Sequence, residues 1–353
     1  MVTISDLPTP FLTVDLDAVD RNIARMQRYC DEHELALRPH VKTHKMPALA
    51  RLQVVAGARG ITCQKLGEAE LMADNGFDDI LITFPLVGTG KAERLADLAG
   101  RVRVAVGADS DVAARTISAA LQARGTAAAF LVDCDTGFRR TGVQTPDDAA
   151  ALAELVERLP HLELGGLMTH PAVRGSGEWL AAARRLIEQR GLEVACVSGG
   201  GTPHAREIHE SGAFTELRVG TYVFGDRHLL GEGAVALDDC ALRVVATVVS
   251  RPTADRAILD AGSKTLTSDL PPGRDDGGYG LLVEYPEAVL ASLSEEHATV
   301  DLSACEERPA VGDVVTVIPN HACGAVNLHD QVAFHRGGRD VEIGGVPARG
   351  LVR

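Results

Sequence analysis

Between about residue 35 and residue 225, short runs of β-branched and aliphatic residues alternate with longer stretches whose apolar positions recur at helical spacing. The strand candidates are Leu35–Val41, Gly60–Gln64, Asp79–Phe84, Val102–Val106, Ala129–Asp135, Leu162–His170, Glu193–Ser198 and Glu216–Phe224. Between them lie Ala-, Leu-, Glu- and Arg-rich segments such as Gly67–Asn75, Ala92–Ala99 and Trp179–Arg190, which suit amphipathic helices. Eight βα units in so short a span predict a compact (β/α)8 TIM barrel rather than a doubly wound sheet. After about residue 235 the pattern changes to strands without strong helices: Leu242–Val249, Ala257–Asp260, Val314–Ile318 and Gln331–Phe334. Pro271–Gly278 reads as an exposed loop. The expected organisation is a barrel over residues 1–235 followed by a β-rich domain over 236–353, with the extreme N-terminus a candidate to join the second.

A chain of 353 residues has room for a sizeable core, and 45% hydrophobic with 24% charged residues describes a globular protein. A formal net charge of -14 argues against nucleic acid or an anionic membrane as partner. No apolar run reaches transmembrane length. The opening Met1-Val2-Thr3-Ile4-Ser5-Asp6 lacks the basic and apolar regions of a signal peptide. Seven cysteines without a compact framework point to reduced thiols and a cytoplasmic location.

In a barrel, chemistry collects at the C-terminal ends of the strands. The first candidate strand runs into Arg38-Pro39-His40-Val41-Lys42-Thr43-His44-Lys45. Alternation along a strand would place Arg38, His40 and Lys42 on one face. Mutual repulsion there favours a neutral lysine amine, the form a Schiff-base lysine needs. The plainer alternative is a solvated basic strand end. Strand six ends in Thr169-His170, which makes His170 a candidate acid or base or a structural residue. After strand seven, Ser198-Gly199-Gly200-Gly201-Thr202 lets backbone amides approach an oxyanion closely, and Gly220-Thr221 after strand eight can add more. Loops after strands seven and eight are the usual phosphate site of such barrels. Together with Lys42, that cradle suggests pyridoxal phosphate (PLP). Downstream, His321-Ala322-Cys323 offers an imidazole and a thiolate two residues apart, and in an extended segment both project the same way. Such a pair selects zinc over magnesium or calcium, although a bare His-x-Cys is common by chance.

The chain resembles the fold type III PLP enzymes of alanine racemase type, and within them the D-threonine aldolase and D-serine dehydratase family. The resemblance is carried by Pro39–Lys45, Gly60–Glu70, Asp135-Thr136-Gly137, Ser198–Thr202, Glu216–Phe224 and Pro319–Cys323. It implies that Lys42 carries PLP as a Schiff base and that Arg140 approaches the cofactor's phenolic oxygen. His40, Ser198, Gly200, Thr202, Gly220, Thr221 and Tyr222 join the expected cofactor-binding set. Arg218 sits where alanine racemases place an arginine against the pyridine nitrogen; the competing reading is a barrel ion pair with Glu216. His321 and Cys323 are the implied ligands of Zn2+ or another divalent metal such as Mn2+. A homodimer and a small-molecule substrate, a β-hydroxy-D-amino acid, are implied too. Two reactions fit: dehydration to a keto acid and ammonia, or retro-aldol cleavage to glycine and an aldehyde. A thiolate ligand resembles the D-serine dehydratase pattern, so dehydration is favoured. A racemase would need a second base, for which Tyr279 and Tyr285 are the only candidates in view. A non-catalytic PLP carrier would have no use for the β-rich domain or His321-Ala322-Cys323.

Overall fold

The computed structural model of the chain describes residues 3–270 and 277–353. Most of the loop expected at Pro271–Gly278 therefore lies outside the described residues, as do Met1 and Val2. The chain divides into two compact units. One holds Arg25–Lys42, Pro47–Gly220 and Gly350–Arg353, the other the described residues of Met1–Ala24, Thr43–Met46 and Thr221–Arg349.

The first unit is an eight-stranded parallel barrel. Its strands are Ala36–Leu37, Ile61–Cys63, Asp79–Ile82, Arg103–Ala108, Ala128–Asp133, Leu162–Thr169, Cys196–Gly200 and Glu216–Arg218. Each pairs with the next from the second strand onward, and the eighth pairs with the first. A parallel bridge between His40 and Thr62 joins the first strand to the second. The first strand is shorter than its apolar run predicts. Pro39 has no N–H, so toward the second strand it can only accept, from Thr62 N at 2.8 Å. Lys42 consequently falls in a short 3-10 turn, Val41–Thr43, beyond the strand. The eighth strand likewise stops at Arg218, and Thr221–Val223 forms another 3-10 turn.

The helices follow from capping and spacing. In Asp111–Arg124 the Ser110 hydroxyl accepts from Ala113 N, and the chain leaves through Gly125 at φ 67°. Ala113, Ala114, Ile117, Ser118 and Leu121 form its buried stripe. Pro146–Arg158 starts with Thr145 as cap and proline in its first turn. One glycine is dictated by contact: Gly166 has φ +134°, and a Cβ there would lie 1.9 Å from the Cys196 carbonyl oxygen.

In the second unit, Leu242–Thr253 pairs with Arg256–Leu259, Val314–Pro319 and the N-terminal strand Phe11–Asp15. Phe11–Asp15 runs parallel to Gln331–Arg336, which pairs in turn with Arg339–Gly345. Gly280–Leu282, Val289–Leu293 and Ala298–Asp301 complete the sheet. Asp260 accepts from Thr247 N at 2.8 Å and from the Thr9 hydroxyl at 2.7 Å. Among the described residues no helix is long and apolar enough to cross a membrane.

Charge is buried inside the barrel. Arg38 donates to Glu216 at 2.8 Å and to Asp79 at 2.6 Å, all three nearly inaccessible to solvent. Replacing Arg38 with alanine would strand two buried carboxylates. We expect a loss of about 3–5 kcal/mol, read as a lower urea midpoint with unchanged far-UV circular dichroism of the native state.

Candidate active site

At the mouth of the barrel Lys42 Nζ donates to Gln64 Oε1 at 3.2 Å. His40 Nε2 lies 3.1 Å from the same oxygen and 3.3 Å from the Thr83 hydroxyl. Because Gln64 Oε1 can only accept, its contact with His40 assigns the proton to Nε2. Nδ1 of His40 is then a bare lone pair, buried and, among the described residues, without a hydrogen-bond partner. Burial, followed by the charges of Lys42 and Arg218, pushes the His40 imidazole well below its ordinary range, so it stays neutral. The alternation expected of Arg38, His40 and Lys42 does not survive as one face. Arg38 turns to Asp79 and Glu216, while His40 and Lys42 converge on Gln64.

Arg218 is anchored within the barrel. Its Nε donates to Ser198 Oγ at 2.7 Å, and one terminal nitrogen donates to the Thr169 carbonyl at 2.7 Å. The Ser198 hydroxyl passes its own proton toward Glu216 Oε1 at 2.6 Å. The direct Arg218–Glu216 ion pair weighed from sequence is thereby corrected: Glu216 pairs with Arg38, and Arg218 reaches it through Ser198. Ser198 spends its side chain in this relay, which leaves only its backbone for an anion.

His170 closes the sixth strand. Burial, then the cationic Arg218 and Lys42, hold its imidazole down at about 3. The exposed Phe138 ring stands edge-on to it at 6.4 Å, and the Arg140 guanidinium lies 5.3 Å above the same ring. Arg140 thus leans on an aromatic face. Its loop is tied down by the Thr141 hydroxyl, which donates to Asp133 at 2.9 Å, and by Asp135, which accepts from Gly137 N and Arg139 N.

The glycine run has a contact reason. A Cβ on Gly200 would lie 2.7 Å from the Arg218 carbonyl and 3.1 Å from His170 Nδ1, and Gly201 adopts φ +117°. Thr202 turns the chain by accepting from Ala205 N at 3.2 Å. Gly220 ends the barrel unit at this level of the chain. PLP needs an amine for its aldehyde, backbone close enough for its phosphate, and a partner for its ring nitrogen. Lys42, the Gly199–Gly201 run and Arg218 are residues of those kinds, and the orphaned His40 Nδ1 marks a polar group whose partner is external to the chain.

In the β-rich unit His321 caps a helical turn, Ala322–Val326, from an extended conformation. The expectation of an extended segment therefore fails at Cys323, which is helical. Cys323, and after it Asp269, raise the His321 imidazole above its ordinary range. Cys323 Sγ lies 3.3 Å from the Thr43 hydroxyl and 3.7 Å from that of Thr221. Tyr222, next to Thr221, is buried. Buried Asp226 accepts from Ala322 N at 3.1 Å and anchors the segment. Among the described residues no group of three or more His, Cys, Asp or Glu side chains is arranged around a common metal position. A histidine and a thiol two residues apart still suit an open metal site, because such a site leaves positions to water and substrate.

Sequence reading missed Gln64, Thr83 and Asp269. Gln64 lies within Gly60–Glu70, a stretch singled out only as a whole. Asp269 carries no local signal, since it stands far from His321 along the chain and meets it only in the fold.

The fold and site define a class. Residues 14–228 match the model of the alanine racemase N-terminal domain, and residues 241–335 match that of the putative serine dehydratase domain. The chain belongs to the alanine racemase-like PLP enzymes, in the group that unites D-threonine aldolases and D-serine dehydratases, and is a PLP-dependent lyase. It is 33% identical to the D-threonine aldolase of an Arthrobacter species over 98% of its length and 93% of the relative's. Against the D-threo-3-hydroxyaspartate dehydratase of a Delftia strain the identity is 34%, covering 91% of this chain and 92% of that one. The crystal structure of a Filomicrobium marinum D-threonine aldolase superposes with a TM-score of 0.90 at 33% identity, covering 100% of this chain and 98% of that one. The dehydratase has also been solved with one cysteine replaced by alanine, in the metal-free form (TM-score 0.86, 29% identity, 97% of this chain and 98% of that one). A histidine-to-alanine variant of it gives a TM-score of 0.85 at 28% identity, covering 97% of this chain and 95% of that one.

The depressed histidines make the cofactor-free protein acid-sensitive. Below about pH 6.5 the unfolded chain protonates His170 while the native state does so only near pH 3, so stability falls as pH drops through that window. Each such histidine contributes a slope of up to about 1.4 kcal/mol per pH unit. Urea midpoints measured between these limits should fall less steeply for His170→Asn than for the parent protein.

Proposed function

We propose that this protein is a metal-assisted PLP lyase of β-hydroxy-D-amino acids, with dehydration its main reaction. The observation that carries the reading is His321, held at Nδ1 by Asp269 at 2.8 Å and two residues from Cys323, in a chain that also presents Lys42 at a barrel mouth. The Delftia dehydratase supports it: the histidine and cysteine replaced in its two variants stand two positions apart, the spacing of His321 and Cys323. In this reading Lys42 holds the cofactor. Gly200, Thr202, Gly220 and Thr221 would offer backbone to its phosphate, Ser198 main chain only, and Tyr222 is assigned with them. Arg218 would partner the ring nitrogen, and Arg140 would serve the phenolic oxygen. His40, fixed by Gln64, would offer its unprotonated Nδ1 only to a hydrogen-bond donor.

PLP supplies an electron sink that makes the bonds at Cα of an attached amino acid labile. Arg218, a cation without a proton to spare, keeps a ring nitrogen beside it unprotonated and so moderates that sink. With PLP bound, Lys42 would be the residue whose amine takes the Cα proton. Neutral His170 keeps one ring N–H and one lone pair, and with its imidazole held at about 3 it can take up a proton only transiently at neutral pH. His321 and Cys323 would hold zinc, or another divalent metal such as manganese, and its chemistry there is Lewis acidity toward the β-hydroxyl. Loss of the Cα proton and that hydroxyl as water would give an enamine, whose imine tautomer is hydrolysed by water to a keto acid and ammonia.

A second reading, aldol cleavage to glycine and an aldehyde, is supported by the D-threonine aldolases among the relatives. His170 would then take the hydroxyl proton. Family likeness also supports a homodimer, and seven free cysteines support a reducing, cytoplasmic setting. The test is a product assay on zinc-supplemented protein with D-serine, D-threonine and D-threo-3-hydroxyaspartate. Keto acid with equimolar ammonia establishes dehydration; glycine with an aldehyde establishes the aldolase and removes the argument from Cys323. Lys42→Ala should abolish both products and the absorbance of bound cofactor, and Cys323→Ala should lower turnover by at least about 100-fold.

A further inference from the structure

We propose that Asp269 is a positioning residue that presents His321 to a metal through a hydrogen bond at the far side of its ring. The inference rests on the reading of His321 and Cys323 as metal ligands. Asp269 Oδ2 lies 2.8 Å from His321 Nδ1. An imidazole has two nitrogens, and a carboxylate accepting from one selects the tautomer whose lone pair is on the other. Nδ1–H therefore faces Asp269, and Nε2 is left as the donor. The same bond suppresses the two-fold flip of the ring, which would otherwise be nearly free about its second torsion.

The surroundings are built to hold Asp269 there. Thr267, two residues earlier, adopts φ 70°, a conformation that a β-branched residue seldom takes. Its hydroxyl accepts from Asp269 N at 3.3 Å. The Asn320 side-chain amide, adjacent to His321, donates to the Asp269 carbonyl at 2.9 Å, so the loop is clamped from the ligand segment itself. Gly324 faces this loop: a Cβ there would lie 2.9 Å from Thr267 Cγ2 and 3.3 Å from Asp269 Oδ2. A strained residue, a reciprocal side-chain clamp and a glycine that admits them converge on one carboxylate. Surface packing alone would require none of the three.

The test is zinc affinity, measured without substrate. Holoprotein is stripped with a chelator, and zinc alone is titrated back in competition with a chromophoric chelator, for the parent protein, Asp269→Asn, Asp269→Ala and Cys323→Ala. Thermal midpoints of the stripped proteins are measured alongside. Loss of the carboxylate should weaken zinc binding about 10–100-fold, with D269A worse than D269N because the amide oxygen still accepts, and with stripped midpoints unchanged. Zinc affinity of D269A equal to that of the parent, while C323A is impaired, would overturn the role of Asp269 and leave the metal site standing. Parent-like affinity of C323A would instead remove the site itself, and the inference with it. Should D269A fold poorly, D269N against the parent decides alone.

Discussion

A chain of buried polar contacts through the barrel sets the terms for everything at its mouth. It runs from Arg218 through the Ser198 hydroxyl to Glu216, on to Arg38, and ends at Asp79, which also receives exposed Arg103. Buried charges are tolerated only when each partner is in place, because desolvation costs more than a loosely made pair returns. The chain therefore locks together the first, third, seventh and eighth strands, which supply its members. It also fixes a permanent cation, Arg218, in the barrel. With Lys42 nearby, that cation makes protonation of His40 and His170 unfavourable. Burial keeps both imidazoles neutral first, and the cation fixed by this network adds to it.

The same economy governs the β-rich unit. Asp226 accepts from the amides of both Leu229 and Ala322, so one buried carboxylate ties two short helices together. Arg227 bonds to Asn320 and Gly278, and Asn320 bonds to Gly278 and Asp269. His321 and Cys323 thus belong to a segment whose backbone is held on both sides. Support of this kind fixes where the two side chains point.

Much of the barrel was legible in the chain. Aliphatic runs such as Asp79–Ile82 and Leu162–Thr169 differ enough from helical segments for their order to be read, because parallel strands buried on both faces have almost no polar positions. The β-rich unit was less legible. Gly280–Leu282 is too short for a period to show, and Phe11–Asp15 belongs with strands hundreds of residues away. At the site, Lys42, His321 and Cys323 stood out through motif and resemblance. Gln64 and Asp269 did not, because an amide or a carboxylate in a loop is unremarkable until its partner is known.

The sequence by itself determined the succession of βα units, the lysine at the end of the first of them and the His-x-Cys pair, because each is written in residues close together along the chain. Tertiary structure decided the rest. Pro39 ends the first strand and moves Lys42 into a turn; Ser198 stands between Arg218 and Glu216; Cys323 follows His321 in a helical turn. It also decided which nitrogen of each histidine carries a proton, through Gln64 beside His40 and Asp269 beside His321. Those choices depend on hydrogen-bond geometry between groups far apart in the chain, and only the folded arrangement of the backbone brings such groups within bonding distance.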